Sequence, residues 1–308
     1  MMAMKLALVG IGKIARDQHI PAISAGPDFE LAATASRNAQ VSGAEAFTDL
    51  DRLLNARSDI PAISLATPPH VRYADARRAL EAGCHVMLEK PPGATLSEVH
   101  DLIGVAESKG VTLFATWHSR HAAAVAAARD WLKDRTIHKV DIQWKEDVRH
   151  WHPGQDWVWT PGGLGVFDPG INALSVLTEI FPRALHLTRA ELQFPSNRDT
   201  PVAATLAFHD PGGAEVTAEF DWLHSGPPAW DIHIATDGGR AVLGQGGARL
   251  DVDGAEIAAG ANAEYAGLYA RFGQLIAAGA SDVDLSPMRH VADAFTLGRR
   301  TNVAPFDW

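Results

Sequence analysis

Between residues 5 and 116 short apolar runs alternate with amphipathic stretches, separated by turns rich in glycine, proline or charge. The runs at 5–9, 31–35, 63–67, 86–89 and 112–116 are predicted strands. They hold too few polar positions to leave one face in water, so both faces should be buried. The stretches between them read as helices. Thr95 and Glu98 have the spacing of a reciprocal N-terminal cap, and Gly110 sits where that helix should end. A second helix is expected over 73–82, closed by Gly83. Strands alternating with helices require crossover connections, and these give a parallel sheet.

Near His121 the period changes. After a helical stretch around 122–132, apolar and polar residues alternate over 138–146, 185–194, 202–209, 215–222 and 231–236. Asp210-Pro211-Gly212-Gly213, Gly226-Pro227-Pro228 and Asp237-Gly238-Gly239 supply turns between them. Period-two alternation with such turns predicts an open, mostly antiparallel sheet. A helix over 171–180 interrupts it, and two more, over 261–278 and 287–300, close the chain. The expected organisation is an α/β protein of two domains, 1–121 and 122–308, with the last helix a candidate to pack back on the first domain. No internal repeat or low-complexity segment breaks this scheme.

The chemistry begins at Gly10-Ile11-Gly12-Lys13-Ile14-Ala15, which follows the first strand and opens a helix. In a G-x-G-x-x-A loop the first glycine allows the tight turn and the second lets the backbone approach a pyrophosphate. The small sixth residue lets helix and strand pack closely, and the helix N-terminus offers free N–H groups to the phosphates. This context marks a dinucleotide-binding Rossmann domain, with Gly10, Gly12, Lys13 and Ile14 as cofactor contacts. The second strand runs into Ser36-Arg37, where an NAD-selective fold usually carries a carboxylate. A hydroxyl and a guanidinium suit a 2′-phosphate, so NADP is the preferred cofactor, with NAD use still open. Thr67-Pro68-Pro69-His70 and Glu89-Lys90-Pro91-Pro92 follow later strands, on the edge where such a sheet binds its cofactor. Thr67, Pro68, His70, Glu89 and Lys90 are therefore candidate cofactor contacts. Lys90 is also placed to hold or take the proton of an alcohol losing a hydride.

These motifs, with Gly162-Gly163 and Asp168-Pro169-Gly170-Ile171-Asn172, resemble the glucose–fructose oxidoreductase / inositol dehydrogenase (Gfo/Idh/MocA) family over essentially the whole chain. The resemblance implies a Rossmann domain followed by an open α/β domain, a sugar bound between them, and a site that includes Lys90 and Asp168. Many members carry histidine as acid/base where this chain has Asn172, and an amide cannot take a proton at neutral pH. The base is then Asp168 or Lys90. The asparagine variant is similar to the bacterial aldose 1-dehydrogenases that act on L-arabinose and D-galactose. Asp168 has a purely structural alternative as a helix N-cap before residue 171.

Nine tryptophans are many for this length, and Trp151, Trp157 and Trp159 fall in one segment with His150 and His152. Indole faces pack on the apolar side of a pyranose, so Trp151 and His152 are candidate sugar contacts, joined by His118 and Trp230. At least one of Trp157 and Trp159 is expected to seal the core. The histidine pairs 118/121 and 150/152 lack metal-ligand spacing with an acidic partner, and no metal is expected.

Composition narrows the function classes. At 308 residues, with 46% hydrophobic and 21% charged residues, the chain suits a two-domain globular protein. A net charge of −10 argues against a nucleic-acid surface. No apolar stretch reaches the ~20 residues that span a bilayer, so a membrane is not an expected partner. Residues 1–10 lead into the glycine loop and lack the features of a signal peptide; Cys84 is the only cysteine and allows no intrachain disulfide. A cytoplasmic enzyme is expected. The broad second sheet is compatible with a homo-oligomer. The expected reaction is NAD(P)-dependent oxidation of an aldose at C1 to the lactone, with Lys90, Asp168 and Asn172 catalytic. The alternatives are an inositol or polyol dehydrogenase and a non-catalytic NADP-binding regulator.

Overall fold

A computed structural model describes residues 3–308. Contacts divide the chain into two units: Met1–His118 with Glu264–Asp284, and Ser119–Ala263 with Leu285–Trp308.

The first unit holds six strands: β1 (Met4–Val9), β2 (Phe29–Ala35), β3 (Glu45–Phe47), β4 (Ala62–Leu65), β5 (His85–Leu88) and β6 (Leu113–Ala115). They form a parallel sheet in the order β3-β2-β1-β4-β5-β6. The order reverses between β1 and β4, and ligands of such sheets bind there, beyond the carboxyl ends of the strands. Alternate strand residues go to opposite faces. Ala7, Val9, Ile63 and Leu65 join a core with the helices Pro69–Glu81 and Leu96–Lys109. Leu6, Ala62, Met87 and Phe114 join a second core. That second face is covered by the helix Glu264–Ala278, whose Tyr265, Leu268, Tyr269, Phe272 and Leu275 recur at helical spacing. Each leucine or phenylalanine buried on such a stripe stabilises the unit by about 2 kcal/mol. The helix returning to this unit is thus Glu264–Ala278; the last helix, Ser286–Leu297, belongs to the second unit.

The helix expected from residue 73 begins at Pro69, because proline tolerates a first turn, whose N–H groups lack intrahelical acceptors. The strand expected to reach Thr67 stops at Leu65, leaving Thr67 in the loop. The cap of Leu96–Lys109 is reciprocal between Thr95 and Glu98, and Gly110 closes the helix in the left-handed region.

The second unit holds β7 (Ile137–Lys145), β8 (His186–Pro195), β9 (Ala203–His209), β10 (Glu215–Asp221), β11 (Ala229–Thr236), β12 (Gly239–Gly244), β13 (Arg249–Val252), β14 (Ala255–Ala259) and β15 (Arg299–Val303). Their order is β14-β13-β12-β11-β7-β10-β9-β8-β15. β7 pairs with β10 and β8 with β15 in parallel, and the remaining neighbours are antiparallel. The sheet is therefore mixed, with antiparallel pairs in the majority. Arg299 and Arg300, expected at the end of a helix, instead open β15. The helix expected from Ile171 begins at Phe167. Gly170 lies inside it, and a Cβ there would stand 2.7 Å from the Phe220 ring, so the residue lets this helix lie close on β10. Among the described residues no helix is long and apolar enough to cross a membrane.

Candidate active site

In the first unit the loops after β1, β2, β4 and β5 lie at one edge, because their strands are parallel. Gly10 N–H donates to the Ala35 carbonyl at 2.9 Å, which sets the glycine loop beside Ser36 and Arg37. Gly10 has φ +87°, and a Cβ there would stand 2.8 Å from the Thr67 backbone nitrogen, so no side chain fits. Gly12 differs: beyond its chain neighbours, no atom of the described residues lies within 4 Å of its Cβ position. Packing within the protein does not demand that glycine, whereas a pyrophosphate pressed on the backbone does. The chain turns helical at Lys13. Lys13 is exposed and pairs with Asp17, Ile14 is 38% exposed, and Arg37 is exposed. Thr67 Oγ1 is buried without a hydrogen-bond partner among the described residues. Pro68 precedes the helix Pro69–Glu81, on whose exposed first turn His70 lies. The open space at Gly12, the helix N-terminus and the Thr67 hydroxyl fit a dinucleotide.

Lys90 is half-buried between buried Glu89 and buried Pro91. Three side chains that nothing in the sequence singles out, Arg72, Tyr265 and His19, surround this loop. Arg72, 2% exposed, donates through Nε to the Thr67 carbonyl at 3.0 Å and through its terminal nitrogens to the carbonyls of Thr67, Glu89 and Pro91. One planar guanidinium thus ties the loop after β4 to the loop after β5. Tyr265 donates its hydroxyl to Glu89 Oε1, His19 Nε2 lies 3.4 Å from the same oxygen, and the Lys90 N–H donates to Oε2 at 2.5 Å. Burial alone would raise the Glu89 carboxyl. The His19 imidazole 3.4 Å away, the charge of His118 and the Tyr265 hydroxyl outweigh it and hold the group well below the usual carboxylate range. Tyr265 is pushed well up by burial and by the Glu89 charge, so it keeps its proton and donates. His118, expected as a sugar contact, has Nδ1 2.7 Å from Glu264 Oε2 and stacks on the Tyr265 ring at 5.5 Å.

Replacing Arg72 by lysine keeps the charge but not the fork that reaches three carbonyls. The variant is expected to lose about 2–3 kcal/mol of stability, as charged hydrogen bonds do when broken in the interior. Thermal denaturation checks this. An unchanged midpoint would show that the guanidinium does not hold the two loops.

In the second unit Asp168 is 3% exposed, in the first turn of the helix Phe167–Ile180. Val166 is the N-cap and makes no side-chain cap bond, so the capping role considered for Asp168 is not the one it has. Asn172 follows one turn later on the same face and is half-buried. His152 Nε2 lies 3.6 Å from Asp168 Oδ2, and its ring meets Trp222 edge-on at 5.2 Å. Trp151 is 40% exposed and tilts against Trp230 at 5.1 Å. Trp230 in turn donates its indole N–H to Glu146 Oε2 at 2.9 Å, and Trp222 donates to Oε1 at 3.2 Å. Glu146 is 5% exposed and was not among the sequence candidates; its one signal was its place at the end of an alternating run. Trp159, 1% exposed, packs on Trp222 and Phe306 and seals the core. Of the five sugar-contact candidates of this unit, Asp168 with His152 and Trp151 with Trp230 form two sets linked through Trp222 and Glu146, and Asn172 lies one helical turn from Asp168. Indole faces beside carboxylates and an amide suit a polyhydroxylated ring. Among the described residues no group of three or more His, Cys, Asp or Glu side chains is placed to hold a metal ion.

Known proteins share this fold. Residues 4–117 match the oxidoreductase family with the NAD-binding Rossmann fold, GFO_IDH_MocA. A galactose 1-dehydrogenase from Pseudomonas fluorescens is 46% identical over 306 residues, 99% of each chain. The crystal structure of a D-galactose-1-dehydrogenase protein from Rhizobium etli superposes with a TM-score of 0.97 at 54% identity, covering 100% of this chain and 99% of that one. A 3-ketoreductase from Actinomadura kijaniata, in complex with NADP and TDP-benzene, shares the fold at TM-score 0.84 and 20% identity, covering 98% and 99%.

Proposed function

We propose that this chain, an oxidoreductase belonging to the Gfo/Idh/MocA family, oxidises an aldose at C1 to the aldonolactone. D-galactose is the substrate, and L-arabinose, which lacks only the exocyclic hydroxymethyl, is an alternate. The observation that carries this reading is the 46% identity to a galactose 1-dehydrogenase over 99% of both chains. The cofactor is NADP in preference to NAD. Support for that comes from Ser36 and Arg37, which stand beside the glycine loop where an aspartate would repel a 2′-phosphate.

The nicotinamide, when bound, accepts the hydride that leaves C1. The chain supplies the rest. Gly10, Gly12 and the helix opening at Lys13 hold the pyrophosphate through backbone N–H groups. Asp168 takes the proton of the anomeric hydroxyl. Lys90 stabilises the alkoxide that develops or relays its proton, and Asn172 orients a ring hydroxyl. Trp151 and Trp230 pack on the apolar face of the sugar, and His152 and His118 complete its polar contacts.

The test is initial-rate near-ultraviolet absorbance with NADP⁺ and with NAD⁺ against a panel of aldoses and inositols. Reduction is expected with galactose and arabinose, faster with NADP⁺. Turnover confined to cyclitols would replace this reading with a polyol dehydrogenase. No turnover from protein that binds NADPH would make it a regulator.

A further inference from the structure

We propose that His19 and Tyr265 are positioning residues of the reaction: together they fix the buried Glu89 carboxylate, and Glu89 fixes the backbone that carries Lys90. The inference rests on the reading of Lys90 as the lysine at the reacting carbon.

Three segments distant in sequence meet at Glu89. The first is the helix that begins at the glycine loop. It makes a wide turn over Ala15–His19, a helix irregularity often found at functional sites, and His19 there is fully buried. Its Nε2 lies 3.4 Å from Glu89 Oε1, and its Nδ1 lies 2.7 Å from the Tyr269 hydroxyl. The second is the returning helix Glu264–Ala278, which supplies Tyr265 to Glu89 and Tyr269 to His19. Tyr269 extends the chain to Ser64 on β4 at 3.4 Å. The third is the loop itself, where the Lys90 N–H closes the set on Oε2.

A purely architectural role explains this poorly. Removing a carboxylate from water costs several kcal/mol, and an apolar side chain of similar volume usually serves stability as well or better. Yet Glu89 is only 4% exposed and keeps partners on both oxygens. What such a set provides is a fixed direction. Reacting groups must be held to within a fraction of an ångström, and a misplacement of about 1 Å can cost on the order of 100-fold in rate. The peptide after Lys90 is that of a proline and lacks an N–H, so the Lys90 amide is the last donor able to anchor the loop before Gly93. The same set joins the helix that receives the phosphates to the loop that carries the lysine.

The experiment compares Tyr265→Phe, His19→Ala and His19→Gln with the Lys90→Met variant. Tyr265→Phe keeps the ring and removes only the hydroxyl, and His19→Gln restores a donor near the position of Nε2. Tyr265→Phe and His19→Ala are expected to lower kcat about 10- to 100-fold with KM for the nicotinamide cofactor changed less than about twofold. His19→Gln should recover most of the loss. A second readout is independent of turnover. In hydrogen exchange of a peptide over 89–92, Pro91 and Pro92 contribute no amide and the Glu89 nitrogen is the terminal amine, so the Lys90 N–H is the one amide read; it should exchange faster in Tyr265→Phe. Full kcat in both loss variants beside an inactive Lys90→Met would overturn the proposal and leave the lysine's role intact. A rise in KM at constant kcat, or unchanged exchange at Lys90, would overturn it as well. An active Lys90→Met would remove the reading beneath it and the proposal together.

Discussion

Lys90→Met is expected to lower kcat by about 10²–10⁴-fold, the range for losing a general acid/base or a charge-stabilising group, while NADPH still binds. Methionine keeps the unbranched stem and removes only the ammonium. The loop around it should stand, because its anchors are elsewhere: the Arg72 guanidinium on the carbonyls of Glu89 and Pro91, and Glu89 Oε2 on the Lys90 N–H. Steady-state rates with galactose, beside a fluorescence titration with NADPH, separate chemistry from binding. Intact binding with lost turnover is the expected pair of results. Turnover within a few-fold of the parent would remove Lys90 from the chemistry.

Asp168→Asn is expected to cost a similar factor in kcat, about 10²–10⁴-fold, with the fold retained. The amide has the shape of the carboxylate, but it cannot take a proton at neutral pH. Asp168 is not the helix cap, so the change removes no cap bond at the start of Phe167–Ile180. It does take the charge away from His152, whose Nε2 lies 3.6 Å from the carboxylate. Near-parent kcat in Asp168→Asn would mean that the base lies elsewhere. A loss confined to KM for the sugar would make Asp168 a binding group.

Much of the first unit was readable because its signals are local. The strand, glycine loop and helix of a dinucleotide site lie within about a dozen residues, and the Thr95–Glu98 cap spans four. Lys90 could be placed at the carboxyl edge of the sheet from one apolar run and two prolines. Errors fell where a local signal was ambiguous. Pro169 and Gly170 look like helix breakers, yet proline is tolerated in a first turn and glycine is needed where the helix meets Phe220. Arg299 and Arg300 continue a helical pattern, but β8 offers an open edge, and the chain pairs with it from Arg299 to Val303.

By itself, then, the sequence determined the two architectures, the cofactor loop, the candidate lysine and the aspartate–asparagine pair, since each depends on neighbours a few bonds or one helical turn away. Tertiary structure alone decided the partners. Glu89 meets Tyr265 across 176 residues, and Glu146 meets Trp222 and Trp230 across 76 and 84. A buried carboxylate is stable only where several donors converge on it, and no periodicity along the chain records which distant donors those will be.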